Sequence, residues 1–175
     1  MKNKSSYLIC TGLFLLGILF FAWFNEYIII NPKRSFLVAS SETSSIKTKV
    51  ILYLYKNKWQ QDGVQLLLSE NDALNAQLVT GRWLENALEE ALLKKKTVIQ
   101  SAFISPDKEL ILSFDRSLFT KESSTFDKWM IIEGILKSLH ETMPNIKKVR
   151  FLINHQPIND PHLDLSNAWP NKGFA

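Results

Sequence analysis

Cysteine is almost missing from this chain: Cys10 is the single one in 175 residues. An intramolecular disulfide framework and a cysteine-rich zinc site are therefore both excluded. Six Gly and six Pro are too few for a collagen-like or low-complexity chain. Charged residues make up 22%, close to the ~25% of ordinary globular proteins, which argues against wholesale disorder. No phosphate-binding Walker loop, dinucleotide fingerprint or nucleophile-elbow motif occurs. The net charge of +4 suggests an anionic partner, but Lys94–Lys96 and Lys147, Lys148 and Arg150 have acidic neighbours. Without an interleaved basic and aromatic face, nucleic acid is not expected as a partner.

What the chain has in excess is concentrated at its start. Met1 to Ile30 holds 20 hydrophobic residues and three charges, Lys2, Lys4 and Glu26. Tyr7–Phe24 is an uncharged run of 18 residues, and Tyr27–Ile30 adds an apolar patch. About 20 apolar residues at ~1.5 Å rise cross a ~30 Å hydrocarbon core. Residues 1–30 are thus expected to be a membrane anchor, with a helix over about 7–28. Trp23, Phe24, Asn25 and Glu26 do not suit a signal-peptidase site. Cys10 precedes most of the apolar run, where a lipoprotein cysteine should follow it. Lys2 and Lys4 lean the N-terminus toward the cytoplasm, which would place the rest of the chain outside. A serine-rich linker follows over 31–47.

Beyond it the periodicity predicts an α+β domain over 48–170, with a short tail at 171–175. Lys49–Lys56 is β-branched and aromatic and reads as a strand, Asn57–Gly63 as a turn and Val64–Leu68 as a second strand. Leu78, Leu84, Leu88, Ala91 and Leu92 recur at helical spacing. They predict a helix capped near Thr80 with Lys94–Lys96 at its negative end. Strands at Thr97–Ile104 and Glu109–Phe114 flank Ser105-Pro106-Asp107-Lys108, a sequence suited to a type I turn. A helix over about Ser124–Met143 would bury Phe126, Trp129, Met130, Ile132, Ile135, Leu136 and Leu139. Lys148–Ile153 completes the order β-β-α-β-β-α-β, a small mixed sheet with two helices on one face. Arg150 between Val149 and Phe151 predicts one wet sheet face.

Asp160-Pro161-His162-Leu163-Asp164 is the densest polar cluster. Strand alternation would set His162, Asp164 and Ser166 on one face, and His155 is near in sequence. Such a set would suit a divalent metal, but Asp beside Pro is also a common turn former, and the turn reading is preferred. His140 is expected at a solvated helix end. Glu85 and Glu89, spaced i,i+4, are expected on an outer helix face. Trp129 is expected in the core. Trp59, in a polar turn beside Lys58, and Trp169, beside Pro170, are candidates for contact with a partner or a glycan.

Three segments carry a resemblance: Glu109–Phe119 (ELILSFDRSLF), Ile146–His155 (IKKVRFLINH) and His162–Asn167 (HLDLSN). Together they resemble the GerMN domain of bacterial sporulation and spore-germination proteins. That pattern has a strand ending in an Asp-containing motif, a helix, a strand closing in Asn/Asp-Gly, and a terminal H-x-D-L-S. His155 stands where the family has glycine, and Asn167–Pro170 lengthens the ending. The resemblance implies an envelope protein with a binding or assembly role, no catalytic residues and no cofactor. The sequence thus predicts a single-pass envelope protein that binds a protein partner or cell-wall component, with Trp59, Trp169, His162 and Asp164 as its candidate surface. The competing expectation is a wall-modifying hydrolase or metalloenzyme built on His155, His162 and Asp164.

Overall fold

A computed structural model describes residues 45–120 and 122–173. The expected anchor, Cys10 and nearly all of the linker lie outside them. Among the described residues no helix is long and apolar enough to cross a membrane.

Two strands of eleven residues, β1 (Ile46–Lys56) and β2 (Lys58–Leu68), form an antiparallel hairpin paired from Ile46↔Leu68 to Lys56↔Lys58. Asn57 alone makes the reversal, with φ of +61°, a left-handed conformation that Asn tolerates. The polar stretch Asn57–Gly63, expected as a turn, is therefore mostly strand. Val50, Leu52 and Leu54 bury one face of β1, whereas β2 is amphipathic and largely exposed, so its sequence looks like loop.

Helix α1 (Asp72–Glu89) starts eight residues before the expected cap at Thr80. Asn71 caps it, its side chain accepting from the Leu74 N–H at 3.1 Å. Asn75 is buried and exchanges two hydrogen bonds with the Ser69 backbone, of 2.9 and 2.8 Å. Thr80 is itself buried in the helix interior, and the inward face is Ala76, Val79, Trp83, Leu84 and Ala87. The end also differs from expectation. Ala91 adopts φ of +57°, and Leu92 N–H and Ala91 N–H bond back to Ala87 O and Leu88 O at 2.8 and 3.1 Å. This is a Schellman stop with alanine where glycine is usual. It ends the helix before Lys94–Lys96, which therefore do not complement its dipole.

The second sheet runs β3 (Ile99–Ile104), β4 (Glu109–Phe114), β5 (Lys148–Ile153), then β6 (Gln156–Pro157), with β7 (Trp169–Pro170) also on β5. It is mixed: β3 and β4 are antiparallel, β4 and β5 parallel. The Ser105–Lys108 turn closes with Lys108 N–H to Ser105 O at 3.0 Å, as its Pro and Asp predict. Leu110, Leu112, Phe114, Val149 and Phe151 are fully buried on the inner face, and the Phe114 and Phe151 rings stack at 6.3 Å. Arg150 lies on the wetter face, with Nε 2.6 Å from Glu109 and Nη1 3.0 Å from Ser166 O.

Helix α2 (Thr125–Thr142) is capped by Ser124, whose Oγ accepts from Asp127 N–H at 3.0 Å. Its inward face turns further round than expected. Ile131, Ile132, Ile135, Leu136 and Leu139 are buried, but so are Lys128, Glu133 and Ser138. Phe126 and Trp129, expected inside, are 53% and 39% exposed, and the Trp129 indole donates to Glu133 at 3.1 Å.

The hairpin, both helices and the inner face of the mixed sheet share one core. Instead of one sheet there are two, because the free edge of β1 is occupied by side chains. Ser138 Oγ accepts the Tyr53 N–H at 2.8 Å, and the Trp83 indole donates to Tyr53 O at 2.7 Å. Gly134 permits that approach: a Cβ there would stand 2.7 Å from Tyr53 O and 2.9 Å from Trp83.

Candidate functional site

The C-terminal segment that the sequence singled out is a chain of turns, not a strand. Asp160 Oδ1 accepts the backbone N–H groups of His162 and Leu163 at 2.9 and 3.1 Å. Its Oδ2 lies 2.6 Å from Lys128 Nζ, whose side chain is 3% exposed. The same ammonium reaches His162 Nδ1 at 3.1 Å and sits over the Phe119 ring at 5.8 Å. Burial works against the Asp160 carboxylate, but the bonds from Lys128 and the two backbone N–H groups outweigh it and lower the pKa. Asp164 repeats the pattern at the surface. It accepts from Ser166 N–H, Ser166 Oγ and Asn167 Nδ2, contacts that also lower its pKa.

These side chains are spent on structure. Among the described residues no three His, Cys, Asp or Glu side chains converge as a metal cluster. A His162 Nδ1 facing an ammonium is not presented to a cation. His155 belongs to another turn: Asn154 and His155 have φ of +48° and +64°, forming the two-residue connection from β5 to β6. This left-handed geometry is one that glycine adopts without strain. Trp169 donates its indole N–H to Asp164 O at 2.9 Å as part of β7. Asn171, past that strand, is buried and bonds Met143 O and Ile146 O. Trp59 is half-buried in β2, edge-on to Tyr55 at 5.3 Å, with Lys137 Nζ 5.2 Å above its ring.

The concavity lies elsewhere. A cleft of about 280 Å³ opens between the loop after α1 and the loop joining β4 to α2. Trp83, Leu92, Leu118, Met130 and Ile131 give it apolar walls, and Tyr55 brings an aromatic ring from the end of β1. Lys94, Thr120, Glu122, Ser123 and Asp127 give it a polar rim. The Schellman stop at Ala91 aims Leu92 inward. The opposite loop is braced by Thr120 and Ser123: their hydroxyls meet at 3.1 Å, Thr120 N–H donates to Ser123 Oγ at 3.2 Å, and Ser123 N–H donates to Thr120 O at 3.2 Å. The Glu122 carboxyl is held below its ordinary pKa, first by its own backbone N–H, then by the Thr120 hydroxyl, with help from Lys94 and Lys95. Tyr55 is fixed edge-on between Trp59 and Phe126, at 5.3 and 5.5 Å.

Sequence reasoning missed this site because its residues come from four separated segments. The one local signal was the hydroxyl-rich run Thr120–Thr125 between a strand and a helix, where functional loops concentrate.

No protein-family model matches the chain, and no curated protein matches it. Among solved structures it is similar to a candidate lipoprotein from Clostridium perfringens, at 18% identity and TM-score 0.43, over 73% of this chain and 88% of that one. It is also similar to the tandem GerMN domains of the sporulation protein GerM from Bacillus subtilis, at 19% identity and TM-score 0.48. That match covers 71% of this chain and 44% of the other, so this chain spans less than half of the tandem protein's length. At such identities no residue role and no activity transfers.

Proposed function

We propose that this chain is a membrane-tethered envelope protein whose α+β domain binds a partner without transforming it. The observation that carries this reading is the loop-walled cleft: concave, half apolar, and rimmed by groups already fixed by their own hydrogen bonds. The apolar run Tyr7–Phe24 supports the tether.

A hydrolase is the competing reading, since Glu122 and Asp127 both line the cleft. Glycoside hydrolysis needs a carboxylic acid whose pKa is raised, so that it holds a proton to donate. The Glu122 shift runs the other way. The His155, His162 and Asp164 alternative is weakened because His162 and Asp164 are bonded to their neighbours and His155 lies in a separate turn.

Expressed at full length, the chain should remain in the membrane pellet after a high-salt wash and be released by detergent. The detergent-solubilised protein should co-sediment with purified cell-wall sacculi and release no soluble fragments from them. Recovery in the soluble fraction would remove the tether, and fragment release would replace binding with catalysis.

A further inference from the structure

We propose that the cleft beside Tyr55 takes a single neutral pyranose ring of a glycan, an assignment that rests on the binding reading above. Size is the first argument. About 280 Å³ lies just under the ~300–1,000 Å³ of ligand pockets, which suits one ring and not a folded peptide segment.

Surface character is the second. A pyranose has an axial C–H face and an equatorial girdle of hydroxyls. The cleft offers the matching pair: apolar walls from Leu92, Leu118 and Met130 with the Tyr55 ring, and a rim of hydroxyls and carboxylates. Tyr55 is held by Trp59 and Phe126, so presenting its ring costs little ordering entropy on binding.

Charge is the third. Lys94 stands against Glu122 and Asp127 on the rim, and Lys95 also acts on Glu122. Among the described residues that near balance gives no net attraction to a phosphate, a nucleotide or a basic peptide. An ionised Glu122 is instead a strong acceptor for a sugar hydroxyl, and Lys94 is a donor to a ring or carbonyl oxygen. Neither role needs a charge on the ligand.

The test is calorimetric titration of the detergent-solubilised full chain with the neutral tetramer of N-acetylglucosamine. Saturable binding is expected, with an affinity that changes less than twofold between about 50 and about 500 mM NaCl, because no ion pair forms. Tyr55→Leu and Glu122→Ala should each weaken it about tenfold or more. Phe103→Ala, on a residue 59% exposed in β3 outside the cleft, should leave it unchanged. Circular dichroism on each variant separates lost binding from lost fold. Should Tyr55→Leu unfold, Glu122→Ala decides alone, since Glu122 is exposed.

Tetramer binding that ignores both cleft variants would overturn the site. Preference for the deacetylated, cationic tetramer, with steep salt dependence, would overturn the neutral ligand. Sedimentation with sacculi but no tetramer binding would overturn the sugar assignment while the binding reading stood. Failure of both would remove the two together.

Discussion

Two polar regions of this domain look alike in composition and behave oppositely. The segment Asp160–Asn171 and the rim Thr120–Asp127 each mix carboxylates, hydroxyls and a nearby lysine. In the first, Lys128 is buried and bonded to Asp160 and His162, while Asp164 and Asn171 bind the chain beside them. In the second, Thr120 and Ser123 close on each other and Ser124 bonds Asp127, while Glu122, exposed, and Lys94 stay at the mouth of a cleft. Polar richness is thus no guide to a site. What separates the two is enclosure: the Lys128–Asp160 pair is shut inside the domain, whereas Glu122 is exposed and faces an open cleft.

Substitutions can break that contrast. The largest effect should come from Asp160→Asn, which strands the Lys128 ammonium in a 3% exposed position. Losing one partner of a buried pair costs about 3–5 kcal/mol, read from chemical denaturation. Acid supplies the matching measurement. Asp160 has a folded pKa below its ordinary 3.8, so its contribution is fully present above that value and disappears as pH falls through the lower folded one. The wild-type stability curve should drop more steeply below about pH 4 than that of Asp160→Asn. Equal acid limbs would mean that the pair is not what holds this segment.

Next in size is Gly134→Ala, which tests the support beneath the cleft. Its methyl would press on Tyr53 O and on Trp83, a cleft wall, at 2.7 and 2.9 Å. Overpacking of this kind costs about 1–3 kcal/mol, and sugar binding should weaken along with the thermal midpoint. Smaller and opposite in sign, Ala91→Gly should stabilise by up to about 1 kcal/mol, because φ of +57° suits glycine. His155→Gly should behave likewise at φ of +64°, and its lack of any effect on sacculus binding would set His155 apart from function. The smallest stability change, within about 0.5 kcal/mol, belongs to Glu122→Gln. Its thermal midpoint should stay put while tetramer affinity falls, the reverse of what Asp160→Asn should show.

The parts of this molecule that were legible in the sequence are those where apolar pattern and backbone agree. β4, β5, the Ser105–Lys108 turn and α2 fall where their residues place them, and Arg150 marks the wet face correctly. Elsewhere a polar residue has a buried partner that only the tertiary structure supplies. Asn75 and Thr80 obscured the first half of α1, because buried polar residues break the hydrophobic period. The polar run Trp59–Gly63 concealed most of β2, since an edge strand needs only one dry face. β6 and β7 are two residues each, too short for any period to register. The cleft depends on two loops meeting, which local pattern does not encode.

The two bonds that Ser138 and Trp83 make to Tyr53 have a mechanical consequence. Load arriving along the chain before Ile46 acts on the open end of the hairpin, where Ile46 faces Leu68. From there β1 would unzip from β2 pair by pair, each step opposed by few interactions at a time. Tyr53 is where that peeling meets resistance of another kind, because its N–H and C=O are fastened to two helices and not to β2. The residue therefore acts as a rivet: a pull on Ile46 would fray the outer pairs of the hairpin and stop short of Tyr55, leaving the wall of the cleft in place.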